Sequence, residues 1–506
     1  MLNRRQFIVS SLIAGRMLSA QAGAQSRGQH RLPANEVHLK RVRDYVEDLP
    51  VPEYHWASER AYEAFRDLKY GVRLHWGIYS TLKLRGESWP FLAMSFEERQ
   101  RYQQIYRTWN PRDFDADAWM ELFADCGMRM FAFTSKHHDG FSMFDTKTRV
   151  VRRANWTASG GPRLEDCNLP YSIMETPFRR DIVGELCRAA RKRGLKIDLY
   201  FSHPDWYDAD FRPYNYAPIQ APSSATISPP DYPDVVKRNG DRILMAPDPG
   251  KAEVERMMTR HRTQLSELLT NYGQIDMLCL DQWLGPSVWP QLRETIIHLR
   301  KLQPDVMLRA RGIGNYGDYY TPEGFVPGNK ENTGMPWFVI YPLGSSFSYE
   351  DDPARHKGAA WIVRNIVDCA AKGGNFMVGI GPDGEGRFHP TAKEQLREAG
   401  AWLKVNGQGI YATREREGEL WREGDEVRFT RSKDSNLVHA FMLSWPGKYL
   451  KLSSVRPRSG AAIHLLGHPD QLSWRLENGS LIIDLPESLQ DPARRPCQFA
   501  WGMSIP

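Results

Sequence analysis

The sequence predicts an α/β protein: a (β/α)8-like barrel followed by a small C-terminal antiparallel β-sandwich. Three observations predict it. Short apolar runs alternate with amphipathic helical stretches across residues 60–414. Polar, Gly- and Pro-containing segments follow nearly every run, as loops do at the C-terminal mouth of a barrel. Beyond Arg414 the texture changes to short β-rich runs, VRFTRS, LVHAFMLSW, AAIHLLG and LIIDLP, divided by Gly, Pro, Asn and Asp. A doubly wound sheet is the competing arrangement, and decorated loops after nearly every strand favour the barrel.

Residues 1–24 form an export signal. Arg4-Arg5 precedes Gln6, Phe7 and Ile8, a short apolar run follows, and Ala20-Gln21-Ala22 and Ala22-Gly23-Ala24 offer small-residue cleavage sites. The paired arginines indicate the twin-arginine route, with an ordinary secretory signal as the alternative, and point to a periplasmic location. The run is too short to span a bilayer, so no membrane span is expected. Residues 25–59 are polar and form an N-terminal arm.

The barrel is read over residues 60–414. A helix over 58–68 feeds a strand over 70–77, and a helix over 113–126, stopped at Gly127, leads into a strand over 131–135. A helix over 181–193 and a strand over 195–202 follow, then a Pro-, Tyr- and Asp-rich insertion at 207–250. The helix over 251–272 repeats apolar residues at three- and four-residue steps and stops at Gly273. Next come a strand over 275–280, a helix over 288–302, a strand over 306–311, an irregular Gly/Pro region, and a helix over 354–372. A strand over 375–381 and a helix over 391–405 complete the barrel, and residues 415–506 make the sandwich.

Composition narrows the function. The chain has 506 residues, 41% of them hydrophobic, and net charge +6. Without Arg4, Arg5 and Arg16 the remainder carries about +3, too little and too evenly spread for nucleic acid. The six cysteines show no CxxC and no disulfide framework, and read as free thiols. The 16 tryptophans suit either packing or walls on which a pyranose can stack.

Chemistry is expected where the strands end. In QIDMLCLDQWLG, a buried run delivers Asp281, with Trp283 just beyond. His75, His137, His138, Tyr200 and Arg311 also lie at strand ends, and a barrel brings such ends to one face. Imidazoles, a phenol, a guanidinium, a carboxylate and indoles suit a neutral, hydroxyl-rich ligand. Each has a plainer reading: a strand-end histidine is often structural, and Asp281 alone would serve as a salt-bridge partner. The His137-His138 pair raises the question of a metal. Adjacent strand residues point opposite ways, and neither HxH nor HExxH occurs, so no metal and no cofactor are expected.

Four segments carry a resemblance: YGVRLHWGIYS, DFDADAWMELFADCGMRMFAFTSKHHDGF, DIVGELCRAARKRGLKIDLYFSHPDW and GGNFMVGIGPDGEGRFHPTAKEQLREAGAWLKVNGQGIYATR. Together they resemble glycoside hydrolase family 29, the α-L-fucosidases, over residues 60–414. The resemblance implies a (β/α)8-like barrel, a C-terminal β-sandwich, and retaining hydrolysis of a fucosylated oligosaccharide or glycoconjugate. It implies that Asp281 is the nucleophile and that His75, His137, His138 and Tyr200 hold fucose hydroxyls. Trp89 and Trp283 become candidates for the aromatic wall, and Arg311 matches the arginine after the nucleophile strand. Glu323 falls where the acid/base is often found, with Glu331 as runner-up. The chain departs from the family pattern in having Cys279-Leu280-Asp281-Gln282-Trp283 for Trp-Phe-Asp-Gly, and Gly379 for an Asn. An α-L-galactosidase on the same fold and a non-catalytic carbohydrate-binding protein are the alternatives. Homo-oligomerisation is left open.

Overall fold

The computed structural model describes residues 39, 42–159, 163–211, 250–322, 326, 335–418, 420–435 and 437–506. The export signal, residues 212–249 of the insertion read at 207–250, and both Glu323 and Glu331 lie outside the described residues.

Among the described residues, eight α-helices accompany the parallel strands. Helix α1 (Glu59–Asp67) is capped by the Ser58 hydroxyl, which accepts from the Ala61 N–H, and leads into β1 (Tyr70–Leu74). After α2 (Phe96–Tyr102) come α3 (Ala116–Asp125) and β2 (Met130–Lys136). A hairpin of β3 (Val150–Asn155) and β4 (Arg163–Leu169) precedes α4 (Ile182–Lys192) and β5 (Lys196–Ser202). Then follow α5 (Lys251–Thr270), β6 (Met277–Asp281), α6 (Trp289–Leu302) and β7 (Met307–Leu308). The last units are β8 (Phe338–Pro342), α7 (Ala359–Ala371), β9 (Asn375–Ile380) and α8 (Pro390–Asn406). Asp115 and Asp181 cap α3 and α4 through side-chain carboxylates, and Gly194 and Gly273 follow helices in the left-handed region that glycine adopts most readily.

Seven strands pair in parallel in the order β7-β6-β5-β2-β1-β9-β8. Among the described residues, the eighth position is taken by two: Tyr319 bridges Arg309, and Tyr320 bridges Trp337, both in parallel. These bridges join the two edge strands into a ring. β1, β2, β6 and β9 are buried at every position, as strands covered on both faces must be.

The structure departs from the sequence expectation in these four places. The strand expected over 306–311 is reduced to Met307–Leu308, because at Ala310 the chain turns away and its N–H bonds Tyr319. The helix expected from 354 starts at Ala359, since a short 3-10 turn and Gly358, at φ 90°, intervene. The β3–β4 hairpin, and β8 inside the Gly/Pro-rich region, add strands that periodicity did not isolate.

The C-terminal part is antiparallel throughout. One sheet contains β10 (Thr413–Arg414), β11 (Arg422–Glu423), β12 (Val427–Ser432), β13 (Val438–Met442), β15 (Ile463–Leu465), β16 (Gln471–Leu472) and β19 (Trp501–Ile505). The other pairs β14 (Tyr449–Leu452), β18 (Ser480–Asp484) and β17 (Trp474–Glu477). Phe429, Leu452, Ile463, Leu481, Ile483 and Met503 fill the core of this part. It is fastened to the barrel by Trp402 Nε1 on the Ala500 carbonyl (2.7 Å), Gly502 N–H on Asn406 Oδ1 (3.1 Å) and Arg428 Nε on Asp368 Oδ1 (2.8 Å). The cysteines are free, four of them buried. Among the described residues no helix is long and apolar enough to cross a membrane.

Candidate active site

Asp281 is the last residue of β6, opposite Ser202 in the β5–β6 register, and is buried. Its Oδ2 accepts from Tyr200 Oη at 2.6 Å. Its Oδ1 accepts from Arg311 Nη1 at 2.9 Å and from Arg309 Nη1 at 3.2 Å. Burial alone would raise the pKa of this carboxyl; Arg311, Arg309, His138 and the Tyr200 hydroxyl outweigh it and hold Asp281 well below the usual carboxylate range. The result is a carboxylate fixed by two guanidiniums on one oxygen and a phenol on the other.

Three imidazoles lie beside it. His138 Nε2 is 3.8 Å from Asp281 Oδ2, and its Nδ1 is held by the Ser202 hydroxyl. His137 Nδ1 is held by the Ser88 hydroxyl, and its ring stacks on Tyr200, with centroids 5.6 Å apart. His75 stacks on Phe347 at 4.9 Å and sits 6.0 Å from His137 and 5.8 Å from Tyr200. The adjacent pair, His137 and His138, shares one side with ring centroids 4.2 Å apart. Strand alternation does not separate them, because β2 ends at Lys136 after a register shift and the chain turns through Gly140 at φ 82°. Burial pushes all three imidazoles down, His138 to about 4, so they are neutral hydrogen-bonding groups at neutral pH.

Trp89 stands 4.6 Å from His138, and the second indole beside it is Trp206, at 5.3 Å. Trp283 follows Gln282, which lies at φ 63°, and packs into the apolar core of the barrel. Asp281, Tyr200, Arg311, His75, His137, His138 and Trp89 thus form one cluster. Glu323 and Glu331 lie outside the described residues; the chain enters that stretch from Thr321, whose carbonyl is 3.5 Å from Arg311 Nη2.

Sequence reasoning missed several neighbours. Arg309 reads as one more basic residue in Arg309-Ala310-Arg311. Glu87 lies in an irregular segment, yet it is buried, is pushed up to about 7 by that burial, and has its backbone N–H on Ser348 Oγ at 2.7 Å. Its signal was position: an acid two residues before an indole already suspected of lining the pocket. Among the described residues, no group of three or more His, Cys, Asp or Glu side chains is arranged to hold a metal ion.

A carboxylate held ionised at a strand end of an α/β barrel, beside neutral imidazoles and indoles, marks the class as a barrel protein whose site suits a hydroxyl-rich ligand. The α-L-fucosidase family model matches residues 50–408, and the α-L-fucosidase C-terminal domain model matches residues 423–506. The chain belongs to the α-L-fucosidase family. It is 25% identical over 462 residues to the plasma α-L-fucosidase of Pongo abelii, covering 87% of this chain and 89% of that one. It is 26% identical over 470 residues to the human tissue α-L-fucosidase, covering 87% and 88%. Among solved structures, α-L-fucosidase isoenzyme 1 from Paenibacillus thiaminolyticus superposes with a TM-score of 0.69 at 24% identity, covering 88% of this chain and 98% of that one. A GH29 α-L-fucosidase from Bacteroides thetaiotaomicron, trapped as a covalent intermediate with 2-fluoro-fucosyl fluoride, gives 0.68 at 21% identity, covering 90% and 99%.

Proposed function

We propose that this protein is an exported, retaining α-L-fucosidase that removes terminal α-L-fucose from glycans by double displacement. The observation that carries the reading is Asp281 itself: a buried strand-end carboxylate kept ionised by Arg309 and Arg311 within reach of three neutral imidazoles. A covalent intermediate in the Bacteroides thetaiotaomicron relative supports the two-step course.

Asp281 attacks the anomeric carbon while the departing oxygen takes a proton from Glu323, with Glu331 as runner-up. Water then attacks the glycosyl-enzyme and gives its proton to the same glutamate, and the carbon–oxygen bond to Asp281 breaks with its electron pair returning to the carboxylate. Retention requires the two carboxyl groups to stand about 5–5.5 Å apart. Glu323 lies two residues beyond Thr321, whose carbonyl faces Arg311, and this favours it over Glu331. His75, His137, His138 and Tyr200 hold sugar hydroxyls and Trp89 covers an apolar sugar face; Trp283, packed in the barrel core two residues beyond Asp281, is the second candidate for that wall. Phe347, packed on His75, gives the pocket an apolar group suited to the C5 methyl of fucose rather than the CH2OH of L-galactose. The twin-arginine signal at residues 1–24 delivers the folded enzyme to the periplasm.

A panel of 4-nitrophenyl glycosides, with NMR of the first-formed anomer, tests the reading. The α-L-fucoside should be cleaved with retention. Preference for the α-L-galactoside, or an inverted product, overturns it. Glu323→Ala should slow substrates with poor leaving groups far more than activated aryl fucosides; equal loss on both transfers the role to Glu331.

A further inference from the structure

Directly beneath Asp281 the barrel interior is charged. The interior of such a barrel is ordinarily filled with branched apolar side chains. Here it holds Arg73 from β1, Asp198 from β5, Cys279 from β6 and Arg309 just after β7, all buried. Arg73 Nη2 donates to Asp198 Oδ2 at 3.2 Å and to Cys279 Sγ at 3.0 Å. β1 and β6 are not neighbours in the ring, so this contact crosses the interior. Arg309 Nη1 donates to Cys279 Sγ and to Asp281 Oδ1, both at 3.2 Å. Cys279 precedes Asp281 by two residues and therefore faces the same side of β6. Buried guanidiniums are expensive to desolvate, and apolar packing in place of such groups is often as stable, so fold stability is a weak account of them.

We propose that the Arg73–Asp198–Cys279–Arg309 layer positions the Arg309 guanidinium on Asp281, and thereby sets how readily the Asp281 carboxylate departs from the glycosyl-enzyme. The proposal rests on the reading of Asp281 as nucleophile. A charged donor on Oδ1 stabilises the free carboxylate more than the ester it forms, whose oxygens carry less charge. It therefore favours the second displacement, in which water bonds to the anomeric carbon, its proton passes to the general base, and the ester bond breaks with its electrons returning to Asp281. The same donor works against Asp281 in the first displacement. Cys279 is a positioning residue: its sulfur accepts from both guanidiniums and keeps Nη1 of Arg309 at Oδ1, while Asp198 balances Arg73 on the far side. Arg309 is the member that touches the reacting group.

The signature is a split between kcat and KM that a merely structural role does not produce. With 4-nitrophenyl α-L-fucoside, Cys279→Ala should lower kcat and KM together by about tenfold with kcat/KM little changed, and should produce a nitrophenol burst approaching one per enzyme. Cys279→Ser, which keeps an acceptor at that position, should restore kcat and suppress the burst. Arg309→Lys keeps the charge without the two-headed fork and should show the same split more strongly. Wild-type kcat without a burst in Cys279→Ala, or a fall in kcat with KM unchanged, overturns the proposal. Asp281→Gly, assayed with and without azide, runs alongside. Retained turnover there overturns the nucleophile reading itself. Lost turnover that azide restores, together with a silent Cys279→Ala, overturns only the role of the layer.

Discussion

In the barrel, Arg73, Lys136, Asp198, Asp205, Arg260 and Arg309 are all buried, whereas the C-terminal sheets close over Val427, Phe429, Leu452, Ile463, Leu481, Ile483 and Met503. Lys136 lies 3.8 Å from Asp205, which also takes Arg260 Nη1 at 2.6 Å, so even the layer flanking the histidines is ionic. In the C-terminal part, two of the buried polar residues, Thr430 and His439, face the turn that ends α8: Thr430 Oγ1 donates to the Gly409 carbonyl at 2.6 Å, and His439 packs on Gly409. The difference separates two uses of burial. Around Asp281, excluding water strengthens the fields that hold charge in place. In the sandwich, excluding water supplies cohesion alone. Changes in one part should therefore alter rates and pH profiles, and changes in the other should alter melting.

The sharpest way to break this contrast is to remove one side chain from each part. Asp281→Gly should lower turnover of an aryl α-L-fucoside by about 10⁴-fold or more, with partial recovery in azide. Phe429→Ala should destabilise the protein by about 3–5 kcal/mol, seen as a lower thermal midpoint, yet leave kcat/KM of the folded enzyme at 20 °C within about twofold of wild type. Large loss of kcat/KM in Phe429→Ala would erase the division of labour.

A smaller effect tests the electrostatics. Arg311 favours the ionised form of Asp281, so Arg311→Met should raise the acidic limb of the kcat/KM profile by about 1–2 pH units. Activity would then be lost at higher pH than in wild type, and an unmoved limb would detach the arginines from Asp281 ionisation. The smallest effect lies in the sandwich. Burial pushes His439 down to about 4, below the value of about 6.5 expected in the unfolded chain. Its contribution is complete above about pH 6.5 and is lost as pH falls from there towards 4, because the unfolded state then binds the extra proton. His439→Gln should flatten the fall in melting temperature between pH 6.5 and 4 by a few degrees, measured against wild type.

Much of this was legible in the chain. A short apolar run bounded by Gly and Pro and ending in a carboxylate reads as a strand buried on both faces, which put Asp281 at a strand end, and the placing of strands over 195–202 and 70–77 did the same for Tyr200 and His75. The shared side of His137 and His138 was not legible, because it depends on a register shift and on where β2 stops. Arg309 was hidden for a related reason. Its direction is set by the bridge between Arg309 and Tyr319, a pairing across ten residues that local periodicity does not encode. The tryptophans show a further limit. Trp76, Trp109 and Trp119 place their indole N–H groups on the carbonyls of Asp383, Gly384 and Gly386 at 2.8, 2.7 and 3.2 Å, tying down the loop after β9, and nothing in composition distinguishes such staples from Trp89 beside His138.

The two-residue stave at Tyr319 and Tyr320 gives the molecule a seam. Tyr320 N–H bonds the Pro336 carbonyl, and Phe338 N–H bonds Tyr320 in return, so the chain departs after residue 320 and comes back at residue 336 beside its own starting point. A segment with its ends pinned together can grow or shrink without moving the wall, and each doubling of its length costs only about 0.6 kcal/mol. Both candidate proton donors, Glu323 and Glu331, belong to that segment, whereas Asp281 belongs to a strand. The proposed nucleophile is thus fixed by a strand, and both candidates for its partner fall between two pinned ends. Chimaeras that exchange residues 321–335 between relatives would retune the choice of leaving group while the fucose pocket stays as it is.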